Sequence, residues 1–169
     1  MIDAITVRML MRYKAWANGK MFDAMAALPA GEVMKERVSL FKNMVNTMGH
    51  LYAVDLVWKG HIEGKPHGIA ALNTVIHETL DALRPAQEAS DRWFIEWADR
   101  LTDAQSNERI TFTLIGGNQG DMTRGEVALH IANHTSYHRG FAADMFFQVP
   151  VRPPTMDLPV FFRETKAAA

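Results

Sequence analysis

The amino-acid sequence predicts an all-α fold with a small β-hairpin before the last helix. Four segments place apolar side chains at steps of three and four residues, the period of a helix that buries one face. Residues 109–123 instead alternate apolar and polar side chains beside a glycine-rich turn. With 169 residues, of which 48% are hydrophobic, the chain is long enough to bury a core, and we expect one domain over residues 1–169.

The first two helices are expected at residues 4–28 and from a cap at Ser39 to about Lys59, where Gly60 follows. On the second helix, His50 falls at the edge of the apolar face. Asp55 falls inside that face, about 140° from His50, so the two cannot share an ion from one side of the helix. We expect Asp55 to be a buried carboxylate that accepts hydrogen bonds from a neighbouring helix.

A long loop is expected over residues 60–73, which hold three glycines and a proline without clear periodicity. A third helix should follow at residues 74–101, and Pro85 should kink or restart it. We do not expect metal ligands among the histidines of this region, which are His61, His67 and His77.

The hairpin is predicted by the alternation of Ile110, Phe112 and Leu114 with threonines, followed by the turn sequence GGNQG. A phosphate-binding loop is the alternative, but GGNQG lacks the Lys-Ser/Thr ending that holds a nucleotide and its magnesium. Thr123 and Glu126 then form a capping box, which opens a last helix running to about Gln148.

Composition argues against several classes of function. Lys and Arg total 18 against 19 Asp and Glu, so no excess charge favours a nucleic-acid partner or an anionic membrane. The chain has no apolar run of eighteen residues and its start lacks the pattern of a signal peptide, so we expect a cytoplasmic protein without a membrane span. Because there is no cysteine, any thiol used in a reaction must come from outside the chain.

The last predicted helix carries three histidines at a spacing of four, namely His130, His134 and His138. Each step of four advances a side chain by about 40° around a helix, so all three line one face and could bind a borderline metal ion. The spacing alone does not choose among them, and histidines without a metal role remain the alternative.

Two familiar metal sites do not fit this pattern. A zinc protease needs a glutamate directly after the first histidine, where this chain has Ile131, and Thr135 follows the second histidine. A di-iron bundle needs paired Glu-x-x-His segments, which the sequence lacks. Glu126 stands four residues before His130 and is a candidate outer partner of that ring.

Five motifs resemble those of the DinB family of metal-binding proteins, which is related to the bacillithiol S-transferases and to mycothiol-dependent maleylpyruvate isomerase. The motifs are YKAWAN at 13–18, GHLYAVDLVW at 49–58, ITFTLIGG at 110–117, NHTSYHRG at 133–140 and DLPVFFRE at 157–164. The histidine motif is the specific one. The resemblance covers nearly the whole chain and implies a DinB/YfiT-like four-helix bundle of up-down-down-up type.

The resemblance also implies a metal site with ligands from the second and last helices, namely His50, His134 and His138. It does not make His130 a ligand. Asp55 and Trp58 also match the second-helix pattern. Phe141 stands where related chains often carry Gln, which removes any polar role at that position but leaves the three ligands intact.

Three neutral imidazoles leave a divalent ion its full charge and an open position, as in catalytic sites. Zinc and nickel both suit these ligands. The leading prediction is a metal-dependent transferase that uses a low-molecular-weight thiol on a small electrophile, the thiol being implied by the resemblance. The alternatives are a hydrolase using metal-bound hydroxide and a non-catalytic metal-binding or dimeric interaction protein. We expect a small-molecule substrate and, by resemblance, a homodimer.

Overall fold

In the computed structural model, which describes residues 2–166, four long helices pack side by side and shorter elements connect them. In chain order, the elements are α1 (Ala4–Ala26), α2 (Met44–Glu63), α3 (Leu80–Arg100), α4 (Asp103–Ser106), β1 (Arg109–Thr113), β2 (Gln119–Thr123), α5 (Arg124–Phe147) and α6 (Leu158–Lys166). None of the helices described is long and apolar enough to cross a membrane.

Two apolar clusters show how the long helices run. The first joins the start of α1, the ends of α2 and α3 and the start of α5; it includes Val7, Met11, Trp58, Phe94, Trp97 and Ile131. The second joins the opposite ends of the same helices; it includes Phe22, Met25, Met48, Leu83, Met145 and Phe146. Helices α1 and α5 therefore run one way and α2 and α3 the other, which confirms the up-down-down-up bundle.

A layer of buried polar side chains from all four long helices separates the two clusters. The Lys14 ammonium donates to carboxylate oxygens of Asp55 and Asp91, each at 2.5 Å. Gln87 and Ser90 of α3 also donate to Asp55, at 2.6 and 3.2 Å. Asp55 is only 1% exposed, so its prediction as a buried acceptor is confirmed.

Helix α2 begins later than the sequence suggested. Its N-cap is Asn43, whose side-chain oxygen accepts from the backbone N–H of Asn46 at 2.7 Å. The prediction of Ser39 as the cap is wrong, because the chain between the two residues turns, with Lys42 at a φ of +71°. The helix also continues past Lys59 to Glu63 and ends at Gly64, in the left-handed conformation that glycine favours.

Helix α3 also begins later than predicted. Thr79 is its N-cap and accepts from the backbone N–H of Ala82 at 3.2 Å, so residues 74–79 belong to the preceding loop. Pro85 lies inside the helix, which runs through it without a restart.

The hairpin and the capping box are confirmed. Strands β1 and β2 pair antiparallel, with Arg109 opposite Thr123, and Phe112 packs into the first cluster. The Thr123 hydroxyl accepts from the Glu126 N–H at 3.1 Å, and the Glu126 carboxylate accepts from the Thr123 N–H at 2.7 Å. These bonds fix where α5 begins and therefore how far along the bundle its histidines lie.

Candidate metal centre

Helices α2 and α5 are neighbours that run in opposite directions, and their shared boundary collects three histidines. Within the described part of the chain, His50 of α2 and His134 and His138 of α5 each offer one ring nitrogen, and these nitrogens lie within 4.8 Å of one another. The ring centroids of His134 and His138 are 4.4 Å apart, and those of His50 and His138 are 4.5 Å apart. The structure thus brings together the three residues named by the resemblance in a cluster that could bind a metal.

The ring of His50 is oriented by the loop before α3. Its Nδ1 lies 2.9 Å from the carbonyl oxygen of Leu72. A carbonyl oxygen only accepts, so Nδ1 carries the hydrogen and Nε2 keeps its lone pair. Nε2 is buried and has no hydrogen-bond partner among residues 2–166. A backbone carbonyl on one nitrogen and a free lone pair on the other is the usual arrangement of a metal-binding histidine.

The two α5 histidines are also incompletely paired. Nδ1 of His134 and Nδ1 of His138 are buried without a hydrogen-bond partner in the described structure. Leaving a buried polar atom unpaired costs about 1–3 kcal/mol, so several such atoms in one cluster point to an external partner. A metal ion that accepts imidazole lone pairs fits this set.

The electrostatics of the cluster favour neutral rings. Burial, together with the neighbouring His138, His50 and His130, lowers the pKa of His134 to about 3. Burial and His50 lower the pKa of His138 to about 4. Burial also lowers the pKa of His50, although its bond to Leu72 opposes this shift. At neutral pH the three rings are therefore uncharged and can act as ligands.

His130 lies beside the cluster but outside it. Its ring centroid is 5.6 Å from that of His134 and 4.9 Å from that of Trp58, which occupies the facing position on α2. The Glu126 carboxylate, considered as a partner of His130, instead caps the backbone N–H of Thr123.

The other three histidines are not members of the cluster. His61 is half-buried in the last turn of α2 rather than in the predicted loop, and it packs against His67 at a centroid distance of 5.3 Å. His77 packs against Tyr52, also at 5.3 Å.

Phe41 was not identified from the sequence as part of the site. Its ring stacks on His50, with centroids 4.4 Å apart and planes inclined by 20°, and it meets the His138 ring edge-on at 5.6 Å. A cavity of about 240 Å³ opens beside these rings. Phe41 lies in the turn before α2, so only the folded structure identifies its place beside His50.

Together, the bundle and the cluster define a class of helical protein with a three-histidine candidate metal centre between its second and last long helices. The model of the DinB family matches residues 1–167, and the chain belongs to the DinB family.

Two relatives agree with this assignment. The chain is 28% identical over 163 residues to Protein DinB of Bacillus subtilis (strain 168), covering 93% of this chain and 94% of the relative. The crystal structure of a DinB-like protein from Bacillus cereus ATCC 10987 matches with a TM-score of 0.65 at 17% identity, over 85% of this chain and 91% of that one. The second likeness shows that the fold is shared.

Proposed function

We propose that this protein is a metal-dependent transferase that joins a low-molecular-weight thiol to a small electrophile. The observation that carries the proposal is the cluster of three neutral imidazoles, two from α5 and one from α2, with unpaired ring nitrogens. Three such ligands leave a divalent ion with an open coordination position, which is the arrangement of catalytic rather than structural zinc sites.

The residues of the chain would hold and position the ion, which is zinc or nickel in this proposal. A divalent ion supplies the positive charge that lowers the pKa of a thiol or a water molecule bound beside it. The Leu72 carbonyl fixes the orientation of His50, and Phe41 shields one side of the His50 ring from water. The sequence contains no cysteine, so the nucleophilic sulfur belongs to a separate small molecule.

An activity assay with defined metal content tests the proposal. The protein would be purified without a nickel column, its metal measured by mass spectrometry, and the zinc and nickel forms assayed with bacillithiol, mycothiol, glutathione and cysteine. Chlorodinitrobenzene and maleylpyruvate would serve as electrophiles, with His134→Ala as the control. We expect thiol consumption that requires both the metal and His134.

Two other outcomes would contradict the thiol transferase. Hydrolysis of a nitrophenyl ester without any thiol, dependent on the same three histidines, would identify a hydrolase in which the ion activates water. Full metal occupancy with neither thiol transfer nor hydrolysis would identify a non-catalytic metal-binding or interaction protein.

We also propose that the protein is a cytoplasmic homodimer that acts on a small molecule. These points rest on the sequence and on the resemblance to the family. Light scattering during gel filtration should give twice the mass of one chain, and a monomer mass at micromolar concentration would contradict the dimer.

A further inference from the structure

A cavity of about 240 Å³ lies against the candidate metal centre, and we call it the Phe41 cavity. His50 and Phe41 line it together with residues of the loop at 72–77. The three histidines do not fill this space, so it could hold another molecule.

The same contacts build the cavity and the histidine cluster. Phe41 stacks on His50 with ring centroids 4.4 Å apart, and the carbonyl of Leu72 lies 2.9 Å from the Nδ1 atom of that ring. Phe41 and Leu72, which both line the cavity, thus contact the same candidate metal ligand. The cavity adjoins the candidate centre through His50, since neither His134 nor His138 lines it.

The walls are mainly apolar. Leu40, Phe41, Leu72 and Val75 contribute hydrocarbon surface, and Leu40 and Val75 remain 69% and 51% exposed. Apolar surface exposed around a concave site favours a ligand that covers it.

Polar groups also line the cavity. Asn46 and Asn73 supply amides, Thr74 supplies a hydroxyl and His77 supplies an imidazole. The ammonium group of Lys42 lies 2.7 Å from Glu36, so this cation already has a partner. The lining therefore suits a molecule with an apolar body and one polar end.

The volume limits the size of the ligand. Sites for drug-sized molecules occupy about 300–1,000 Å³, so a cavity of about 240 Å³ accepts a smaller molecule. We propose that the Phe41 cavity is the substrate site of the candidate metal centre, that it binds a small molecule with an apolar body about the size of one aromatic ring and one polar end, and that Phe41 sets the upper limit of its size. That the bound molecule is a substrate rests on the proposed transferase function. The existence of the binding site and its preference for such a molecule do not depend on that function.

A fluorine reporter provides a test that does not depend on turnover. Because the chain has no cysteine, Val75→Cys places one thiol at the mouth of the cavity, where a trifluoromethyl ketone reagent can label it. Ile5→Cys is the matched control, because Ile5 is 72% exposed at the start of α1 and does not line the cavity. The probes for the zinc-loaded protein are benzyl alcohol, 2-naphthalenemethanol and glycerol.

We expect benzyl alcohol to shift the fluorine signal at position 75 saturably and not at position 5, and glycerol to shift neither. Adding Phe41→Ala should weaken benzyl alcohol binding about tenfold, since an aromatic contact is lost, while 2-naphthalenemethanol binds more tightly than before. Phe41→Leu, which keeps an apolar side chain, should give affinities for both alcohols between those of the unsubstituted protein and Phe41→Ala. Its metal content should be unchanged. Equal shifts at both positions, or unchanged affinities in both Phe41 variants, would overturn the inference.

The two proposals fail in distinguishable ways. If benzyl alcohol binds as expected but no thiol is transferred, the cavity assignment stands and the transferase function does not. If thiol transfer occurs but benzyl alcohol neither binds at the cavity nor inhibits the reaction, the cavity assignment is wrong while the function stands.

Discussion

At the scale of single residues, the two ring nitrogens of His50 have different tasks. Nδ1 is held by the Leu72 carbonyl, and Nε2 is buried with its lone pair free. The partner is a backbone group, so this orientation depends on the path of the loop rather than on the identity of residue 72. A change in that loop would therefore affect the candidate metal centre without altering any of its three histidines.

The choice among the three α5 histidines also depends on the neighbouring helix. Spacing made His130, His134 and His138 equivalent, because a helix wheel contains no information about what faces it. Helix α2 runs antiparallel to α5, so His50 faces His134 and His138, and Trp58, two turns further along α2, faces His130. Sequence pattern could predict the stripe of histidines, whereas the ligand set required either family resemblance or tertiary structure.

The ligand assignment predicts the metal content of four variants. His50→Ala, His134→Ala and His138→Ala should each lose stoichiometric metal, because two remaining imidazoles hold the ion too weakly. His130→Ala is the matched control and should keep it. Mass spectrometry of protein purified without a nickel column would measure the content, and full occupancy in any of the first three variants would refute the assignment.

The depressed pKa of His134 predicts how the stability of metal-free protein depends on pH. Its folded pKa is about 3 against an ordinary value of 6.5, so between these values the unfolded chain binds more protons. The free energy of unfolding should therefore fall as pH is lowered from 6.5 toward 3, and this contribution is complete above 6.5. Urea unfolding with a chelator should show a flatter dependence for His134→Gln. Parallel curves for the two proteins would contradict the prediction.

At the scale of elements, local signals succeeded where both partners are near in sequence. The capping box at Thr123 and Glu126 needs only residues three apart, and both of its bonds form. The start of α2 was missed because Ser39 and Asn43 are both good capping residues and local pattern cannot rank them. Helix α6 gave no strong signal, since it is nine residues long and depends on Phe161 packing against Tyr13 and Trp16.

The corrected start of α2 can be tested by comparing the two capping residues. Asn43→Ala should lower the free energy of unfolding by about 1 kcal/mol, because the backbone N–H of Asn46 loses its acceptor. Ser39→Ala should change it by less than about 0.5 kcal/mol. Urea denaturation followed by circular dichroism would measure both free energies. A larger loss of stability for Ser39→Ala would instead support a helix that begins at Ser39.

At the scale of the whole molecule, the buried polar layer ties the four long helices together. Lys14 lies between Asp55 and Asp91, and Arg139 of α5 joins them through Asn18. Helical periodicity predicted that Asp55 would be buried. It could not identify the partners, because these lie on other helices and their alignment is set by packing.

Removing the central cation should destabilise the bundle strongly. Lys14→Met leaves two buried carboxylates facing each other, and breaking a buried ion pair costs about 3–5 kcal/mol. Arg12→Met is the control, since its pair with Asp99 is exposed and should contribute at most about 1 kcal/mol. Urea unfolding of both variants would measure the difference. Similar losses in the free energy of unfolding would show that the buried ion pairs stabilise the bundle no more than an exposed pair does.

The position of the histidines on α2 and α5 also has a consequence for biosynthesis. Two of the three cluster members lie on the last of the four long helices, far along the chain from His50. While only α1 to α3 have emerged from the ribosome, the chain contains one of the three histidines, so the cluster cannot form. The complete set of three histidines therefore exists only after α5 has been synthesised.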